Sequence, residues 1–391
     1  MTGDTSATRA ALLQMVRDEG FNLVRIAPAG IVAEARAAAH GAYEYGALDG
    51  MGWITSDWLD RATDPGRFLD GACSVIIVAL SYGSADANHK PSDGIARGRV
   101  AAYAHGRDYH RIFEKKLRRI ARRLREDFGA QARATVDYGP LLERPLAAAA
   151  GLGWQGKSTM LLVPGFGPWV MLGAIATTLE LAPDQPLRKT CGSCIRCITA
   201  CPTGALSGDG GLVDSRLCIS YHTIENRGPI PRELRASFGD WIFGCDACLD
   251  ACPVGQPGRD AHPELLAQSP DSADPPLAEL LTLDDAAFLE RFRGRPVMRA
   301  KRDGFLRNVC IALGNVGHRD DVAPLTRALD DFAPLVRGHA AWAIGRLAER
   351  GVISQAEAVT PLEKRRAIEH DPLVREELAA ALVPLTSGDA L

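Results

Sequence analysis

The sequence predicts three consecutive parts: an α/β N-terminal domain, a ferredoxin-like domain rich in cysteine, and an all-α C-terminal domain of HEAT-like repeats. Three observations support this order. Strand-like apolar runs alternate with helices up to about residue 180, eight of the ten cysteines lie between Cys191 and Cys252, and helical segments recur beyond about residue 295. The expected domain boundaries are 1–182, 183–290 and 291–391.

The composition is that of an ordinary globular protein. The chain has 391 residues, of which 46% are hydrophobic and 24% charged, which is enough for two or three domains. A net charge of -3 gives no bulk attraction to nucleic acid, so a polyanion would need a local basic patch. The N-terminus lacks the pattern of a secretion signal, and no apolar run approaches the length of a membrane span. We therefore expect a soluble, cytoplasmic protein.

The N-terminal part contains five strand-like runs separated by helical segments, which predicts a layered sheet with helices against it. The runs are NLVRIA, SVIIVALSY, ATVDY, TMLLVP and WVMLGAIATT. Cys73, which directly precedes the second run in ACSVIIVALSY, is expected to be a small core residue, as is Cys310 in the helical tail. The helix HRIFEKKLRRIARRLRED has one apolar stripe, and we interpret its many arginines as a solvated face.

The stretch GLGWQGKST, from Gly151 to Thr159, matches the G-x-x-x-x-G-K-S pattern of a phosphate-binding loop. Such a loop follows a strand and opens a helix, so that backbone N–H groups and the helix dipole converge on the anion. Here helix-forming residues precede the loop, and a short apolar strand follows it. We therefore interpret the stretch as a glycine-rich helix stop.

The cysteine run CGSCIRCITACP has the C-x2-C-x2-C-x3-C-P spacing of bacterial ferredoxins. Three of its thiolates hold one 4Fe-4S cube and the fourth reaches a second cube, so a second run must exist. GCDACLDACP supplies three more cysteines, and Cys218 substitutes for the first, where Ile242 stands. Cross-ligation then gives two ligand sets: Cys191, Cys194, Cys197 and Cys252, and Cys201, Cys218, Cys245 and Cys248.

The alternative for these cysteines is a pair of zinc sites, because C-x2-C pairs also bind zinc. Zinc modules usually separate two paired knuckles, whereas here four thiolates lie within eleven residues and a proline follows the last. We therefore favour iron-sulfur clusters, which indicates that electrons pass through the protein without saying where they go.

The tail contains internal repeats. NVCIALGNVG aligns with HAAWAIGRLA, and APLVR recurs as DPLVR, which predicts a HEAT-like array of paired helices that grips a macromolecule. A basic stretch at the start of the array suggests phosphate binding, and the alternative is a solvated linker. Its cations are Arg291, Arg293, Arg295, Arg299, Lys301, Arg302 and Arg307.

Asp137 follows a strand-like run and precedes Gly139 and Pro140. We expect it outside the carboxyl end of a strand, where α/β folds place their chemistry. The alternative is a turn former, which is the usual role of an Asp before Gly-Pro. His105 is expected to be a packed or surface histidine.

The assembly of VDYGPLLER, GLGWQGKST, CGSCIRCITACPTGAL, RLCISYHTIE and IFGCDACLDACP with a helical tail resembles the epoxyqueuosine reductase family over nearly the whole chain. The resemblance implies reduction of epoxyqueuosine to queuosine at the wobble position of tRNA, the last step of queuosine synthesis. It implies that electrons pass through two 4Fe-4S clusters to cobalamin held by the α/β domain. The implied partners are tRNA with a GUN anticodon and an external electron donor, and we expect a monomer without membrane association.

The resemblance also implies site residues. Asp137 matches the aspartate of the family's D-x-G-P motif, a proposed proton donor, which needs a desolvated carboxyl with a raised pKa. Arg61, Lys157, Ser220 and Asp246 match positions implicated in cobalamin contact. The alternatives are a surface ion pair for Arg61, a local turn bond for Ser220 and a helix cap for Asp246.

A corrinoid-binding D-x-H-x-x-G element is half present at Asp108 and His110, with Phe113 in place of glycine, so we predict no histidine ligand of cobalt. Two other functions remain open. One is a corrinoid and iron-sulfur reductase of a small molecule, similar to reductive dehalogenases, against which the basic helical tail counts. The other is a non-catalytic ferredoxin-type electron carrier, which would have no use for Asp137.

Overall fold

The computed structural model describes residues 5–83, 93–206, 208–255 and 259–386. Its helices are α1 (Thr5–Asp18), α2 (Ala33–Glu44), α3 (Ser56–Ala62), α4 (Pro65–Phe68), α5 (Tyr109–Phe128), α6 (Glu143–Ala149), α7 (Arg196–Thr199), α8 (Ile219–Ile224), α9 (Arg232–Arg235), α10 (Ala247–Asp250), α11 (Leu277–Leu280), α12 (Asp285–Phe292), α13 (Lys301–Val316), α14 (Val322–Ala328), α15 (Pro334–Glu349), α16 (Gln355–Arg366) and α17 (Pro372–Thr386). Its strands are β1 (Leu23–Pro28), β2 (Ser74–Ser81), β3 (Arg99–Val100), β4 (Ala132–Thr135), β5 (Trp154–Gln155), β6 (Leu161–Leu162), β7 (Val170–Thr177) and β8 (Trp241–Phe243). Within these ranges, no helix has both the length and the apolar character needed to cross a bilayer.

The chain divides into two compact units, each formed by segments that are distant in sequence. The first unit comprises Met1–Asp86, Arg107–Arg216 and Ala247–Leu266, and the second comprises Ala87–Gly106, Leu217–Asp246 and Ala267–Leu391. The domain boundaries expected from the sequence, at residues 182 and 290, stay a prediction.

The first unit is built on a four-stranded sheet in the order β1-β2-β7-β4, in which all neighbouring strands are antiparallel. All eight residues of β2 are buried, so both faces of the sheet are covered. On one face, α5 packs so closely that a Cβ on Gly173 would lie 2.7 Å from the Phe113 ring. Gly173 pairs with Val78, whereas α6 shares a core with Ile77 on the opposite face. The predicted α/β layering is confirmed.

The five predicted strand-like runs fall on β1, β2, β4, β6 and β7. The predicted apolar stripe of α5 is also confirmed, because its members are all buried. Cys73 is different: it is exposed, and its Sγ lies 3.4 Å from the carbonyl oxygen of Gly71. The prediction that Cys73 is a core residue is wrong because the buried strand begins one residue later, at Ser74.

The glycine-rich stretch leaves α6 through Gly151, whose φ is +66°, and forms the hairpin of β5 and β6. Its turn is closed by two backbone hydrogen bonds of 2.9 Å, from Gly156 to Met160 and from Thr159 to Gly156. A helix precedes this loop and a strand follows it, as the sequence predicts, so the loop does not open a helix as a nucleotide-binding loop does.

The second unit is mainly helical, and α15 packs between α13 and α17. The two aligned repeat segments lie on α13 and α15, and the APLVR and DPLVR segments lie at the starts of α15 and α17. Cys310 lies fully buried in the core of α13, as predicted. The predicted HEAT-like stacking of helices is confirmed.

The basic stretch at the start of these repeats is not a continuous exposed patch. Arg302 and Arg307 are buried, and Arg302 forms an ion pair with an aspartate in the loop before α15. Arg295 is half-buried and donates to backbone carbonyl groups. Arg293 and Lys301 remain exposed. Phosphate binding by this stretch stays a prediction for its exposed members, because folding uses Arg295, Arg302 and Arg307 as internal donors.

Candidate functional site

Asp137 lies where three element ends of the first unit converge. A short turn at residues 129–131 connects α5 to β4, and the two pack against each other. The start of α5 and the end of β4 are therefore at the same end of the layer. Residues 136–142 then lead to the start of α6. Asp137 follows the strand end, which confirms its expected place, although the sheet is antiparallel.

The Asp137 carboxylate is held from α5, and its backbone is held from α6. Oδ2 accepts a hydrogen bond of 2.6 Å from the Tyr109 hydroxyl and lies 3.3 Å from Nε2 of His110. The Asp137 N–H donates to Oε1 of Glu143 at 2.9 Å. The backbone φ of Asp137 is +51°, a left-handed conformation that is uncommon for a residue with a side chain. The acceptor on Glu143 thus fixes an otherwise unfavourable backbone.

Gly139 makes the bend after Asp137 possible. A Cβ at this position would lie 1.7 Å from Oγ1 of Thr135, so a residue with a side chain would collide with the end of β4. The Gly-Pro pair that suggests a turn from sequence is therefore explained by close backbone packing.

His110 lies between two carboxylates. Its Nδ1 is 2.7 Å from Oδ1 of Asp108, and Nε2 faces Asp137. Asp108 also caps α5 by accepting the backbone N–H of His110 at 3.1 Å. The imidazole stacks on Tyr109 with 4.1 Å between ring centroids, and its side chain is 18% exposed. Ring packing and the helix cap therefore fix the orientation of the imidazole.

These contacts displace three pKa values. Burial lowers the pKa of His110, but the interactions with Asp108 and Asp137 outweigh it and raise the pKa to about 9. Burial raises the pKa of Asp137, but His110 and the Tyr109 hydroxyl outweigh it and lower the pKa to about 2. Burial and the charge of Asp137 raise the pKa of Glu143 to about 8.

The pKa of Asp137 is therefore displaced in the direction opposite to the one expected for a proton donor. Its side chain is also 54% exposed. The expectation fails because it treats Asp137 alone, whereas α5 places a phenol donor and an imidazole against its carboxylate. Near neutral pH, these pKa shifts favour an ionised Asp137 and keep protons on His110 and Glu143.

Arg61 and Lys157, two predicted cofactor contacts, also lie in the first unit. Arg61 is 49% exposed and forms an i,i+4 ion pair of 3.0 Å with Asp57, which is the contact expected of a surface residue. Lys157 is half-buried in the turn of the β5–β6 hairpin. The start of α6 reaches this turn, because Nη1 of Arg144 lies 3.4 Å from the carbonyl oxygen of Thr159. The glycine-rich loop and the Asp137 loop are thus both connected to the start of α6.

Ser220 and Asp246 lie in the second unit. Ser220 is half-buried in α8, and its carbonyl oxygen accepts a bond of 3.3 Å from the Thr223 hydroxyl. Asp246 is buried, and its Oδ2 accepts the Ala102 N–H at 2.6 Å, at the start of a short 3-10 helix. His105, at the end of this helix, is buried against the Val100 carbonyl, which confirms it as a packed histidine.

The four thiols of the first predicted ligand set lie together in the first unit. The N–H of Cys194 donates to the carbonyl of Cys191 at 3.1 Å, and α7 begins directly afterwards. Burial raises the pKa of the Cys252 thiol, and the nearby thiols of Cys191, Cys197 and Cys194 raise it further. Cys252, distant in sequence, therefore joins the first run in space.

In the second predicted set, Cys201 and Cys248 belong to the first unit, and Cys218 and Cys245 belong to the second. Across the described ranges, no three His, Cys, Asp or Glu side chains converge to hold a single metal ion. A 4Fe-4S cube has a different requirement, because each thiolate binds its own iron atom.

Sequence reasoning missed Tyr109 and Glu143, and it noticed Asp108 and His110 only as half of a corrinoid motif. Their sequence signal is weak, because these residues are brought to Asp137 by tertiary packing. A local clue existed for Glu143: it begins a helix six residues after Asp137, near enough to accept a backbone N–H from the connecting loop.

Three family models match separate parts of the chain. The model described as "Epoxyqueuosine reductase QueG, DUF1730" matches residues 62–138. A 4Fe-4S double cluster binding domain matches residues 190–255, and HEAT repeats match residues 298–383.

Several curated relatives are similar over most of their length. An epoxyqueuosine reductase of Xanthomonas campestris is 39% identical over 302 residues, covering 76% of this chain and 84% of the relative. An epoxyqueuosine reductase of Escherichia coli is 35% identical over 317 residues, covering 81% of this chain and 83% of the relative.

Solved structures share the fold over nearly the whole chain. One is a crystal structure of epoxyqueuosine reductase with an epoxyqueuosine-modified tRNA-Tyr stem loop, with a TM-score of 0.89 and 28% identity over 98% of this chain and 99% of that chain. Another is the Bacillus subtilis enzyme with an aspartate catalytic loop swung out of the active site, with a TM-score of 0.89 and 28% identity over 98% of this chain and 100% of that chain.

Proposed function

Because the chain belongs to the epoxyqueuosine reductase family, we propose that it reduces epoxyqueuosine to queuosine at the wobble position of tRNA. The observation that carries this function is the match to curated reductases over more than four fifths of their length. It favours this reaction over the reduction of a small molecule and over a non-catalytic electron carrier.

We infer that the substrate is tRNA with a GUN anticodon. A structural neighbour of the same fold binds an epoxyqueuosine-modified stem loop, which supports this partner. The exposed Arg293 and Lys301 at the first helical repeat are candidates for phosphate contact. An external donor supplies the electrons, and the chain acts as a monomer.

The match to a double-cluster domain places 4Fe-4S chemistry between residues 190 and 255. We propose that one cluster is held by Cys191, Cys194, Cys197 and Cys252, and the other by Cys201, Cys218, Cys245 and Cys248. The proximity of the Cys252 thiol to the first run supports the cross-ligated arrangement.

Cobalamin is the proposed second cofactor. The glycine-rich hairpin fits a polar ligand, because Nε1 of Trp154 is buried and no described residue accepts its hydrogen. Lys157 of the same hairpin, with Arg61, Asp137, Ser220 and Asp246, would contact the corrinoid. When bound, cobalamin supplies a strongly reducing cobalt centre.

The residues of the protein contribute to the reaction by transferring protons to the departing oxygen. Removing the epoxide oxygen as water consumes two electrons and two protons and leaves a carbon–carbon double bond. Asp137 is the proposed residue that contacts the departing oxygen, and Oδ1 accepts no hydrogen bond from the described residues. Tyr109 and His110 hold Oδ2, which leaves the other oxygen for substrate.

The test is turnover by the reconstituted, reduced protein with epoxyqueuosine tRNA, followed by nucleoside mass spectrometry. We expect queuosine to form when cobalamin, both clusters and a reductant are present. Asp137→Asn should slow turnover roughly 100-fold or more, because it removes the carboxylate that passes protons. Asp127→Asn, at the far end of α5, is the matched control and should retain activity. Absence of queuosine with the unmodified protein would refute the function, and full activity of Asp137→Asn would remove only its assigned role.

A further inference from the structure

The line of side chains from Asp108 through His110 to Asp137 has a role that the family assignment does not supply. We propose that His110 is a positioning and proton-supplying residue that delivers, through Asp137, one of the two protons consumed in the reduction. This inference rests on the proposed function, and it concerns where the proton is held before transfer.

Both ring nitrogens of His110 face carboxylate oxygens, and the contact of Nε2 with Asp137 is an ion pair without hydrogen-bond alignment. Nδ1 lies 2.7 Å from Oδ1 of Asp108, and Nε2 lies 3.3 Å from Oδ2 of Asp137. A neutral imidazole carries a hydrogen on one nitrogen, and an imidazolium carries one on each. Because both nitrogens face carboxylate oxygens, the charged form fits this site. The raised pKa of His110, about 9, agrees with this geometry.

Asp137 connects His110 to the exterior. Oδ2 faces His110 and the Tyr109 hydroxyl, while no described donor reaches Oδ1, and the side chain is 54% exposed. The carboxylate therefore has one oxygen committed to the protein and one available to a substrate oxygen.

The Nε2–H bond of His110 breaks as a proton passes to Oδ2 of Asp137. The neutral carboxyl group then turns about its Cβ–Cγ bond and gives this same proton to the departing epoxide oxygen, so that Asp137 becomes a carboxylate again. His110 is left neutral, and solvent protonates it again. The external reductant provides both electrons, and solvent provides the second proton of the water formed.

Several charged or titratable groups surround His110 and contribute to its titration. Glu114 lies one turn along α5 and accepts from the Tyr138 hydroxyl, and the Tyr138 ring lies 5.3 Å from the imidazole. The groups on the elements packed around it are Asp108, Tyr109, Arg111, Glu114, Asp137, Tyr138, Glu143 and Arg144.

Asp108→Asn is the central variant, because asparagine is also a good helix cap and preserves the start of α5. The substitution removes one of the two carboxylates that face the His110 imidazole. In single-turnover assays of the reduced holoenzyme, the rate of the unmodified protein should fall as pH rises through about 9. In Asp108→Asn this fall in rate should move to lower pH by roughly one to two units.

Two further variants assign the titrating group. His110→Gln should abolish this pH-dependent fall and reduce the rate at neutral pH roughly 100-fold, with tRNA affinity and cluster absorption unchanged. Tyr109→Phe should keep the fall at its original pH. Asp127→Asn, which changes a carboxylate at the other end of α5, should leave the profile unchanged.

NMR can follow the titration of the His110 imidazole directly, without an activity measurement. The histidine NMR signal that disappears in His110→Gln should titrate near pH 9 in the unmodified protein and lower in Asp108→Asn. A signal that titrates below neutral pH, an unmoved profile in Asp108→Asn, or loss of the fall in Tyr109→Phe would each overturn the proposal. An inactive unmodified protein would instead refute the proposed function, and this inference with it.

Discussion

Asp137 shows how a single residue can be specified by neighbours that are distant in sequence. Its φ of +51° is held by the hydrogen bond from its N–H to Glu143. The left-handed conformation is unfavourable for aspartate by about 1 kcal/mol or more, so an acceptor fixed in a helix is needed to maintain it. Glu143 serves as that acceptor whether or not it is ionised.

Glu143 should make the stability of the first unit pH-dependent. Its folded pKa of about 8 lies above the ordinary 4.5, so the folded state keeps a proton that the unfolded chain releases. The stabilising contribution is complete below the ordinary value and is lost as the pH rises toward 8. We therefore expect the stability of the unmodified protein to fall, relative to Glu143→Gln, between these two pKa values.

Thermal unfolding midpoints across this pH range provide the measurement. Glu143→Gln keeps a carbonyl acceptor for the Asp137 N–H but cannot ionise. Its unfolding midpoint should therefore fall less with rising pH than that of the unmodified protein. Glu143→Ala is the matched variant without an acceptor, and it should also lose turnover. Parallel pH curves for the unmodified protein and Glu143→Gln would contradict the assigned titration.

Helix α13 shows at the scale of an element why a basic stretch is a poor guide to a binding surface. Arg307 has no exposed surface, and its guanidinium donates to the carbonyl oxygens of His222, Asn226 and Gly228. It also contacts the Asn308 side chain. Burial lowers its pKa to about 9. The helix therefore uses this cation to hold the loop after α8.

Arg307→Leu should destabilise the second unit by about 3 kcal/mol or more, because several buried carbonyl groups would lose their donor. Its thermal midpoint should fall by several degrees. Arg327→Leu on α14 is the matched control, since Arg327 is exposed and should change stability by less than about 0.5 kcal/mol. Equal midpoints for the two variants would show that the buried contacts contribute nothing.

At the scale of the whole molecule, the two cysteine runs matter as a pair. The thiol of Cys252 comes from the second run but lies with the thiols of the first. Because each cube needs four thiolates, one substitution in the second run should remove the cluster of the first.

Cys252→Ser should reduce the iron content from about eight atoms per chain to about four, because one of the two cubes loses a ligand. Iron and sulfide analysis with electron paramagnetic resonance after anaerobic reconstitution measures this. Cys73→Ser is the control, because Cys73 is exposed and outside both ligand sets. Full iron content in Cys252→Ser would contradict cross-ligation, and zinc in place of iron would refute the cluster assignment.

The sequence by itself determined the kind of chemistry and the kinds of element. The C-x2-C-x2-C-x3-C-P spacing, the strand-like runs and the helical repeats are local patterns. Such patterns can be recognised from neighbouring residues in the sequence, without knowledge of the fold. The place of Asp137 at a strand end was predictable for the same reason.

Only the tertiary structure decided the environment of individual side chains. The sequence did not indicate that Cys73 is exposed, that Arg307 is buried, or that His110 and Tyr109 lower the pKa of Asp137. These properties depend on groups supplied by distant segments, and both the pKa of a carboxyl and the burial of a cation are set by whatever packs against them.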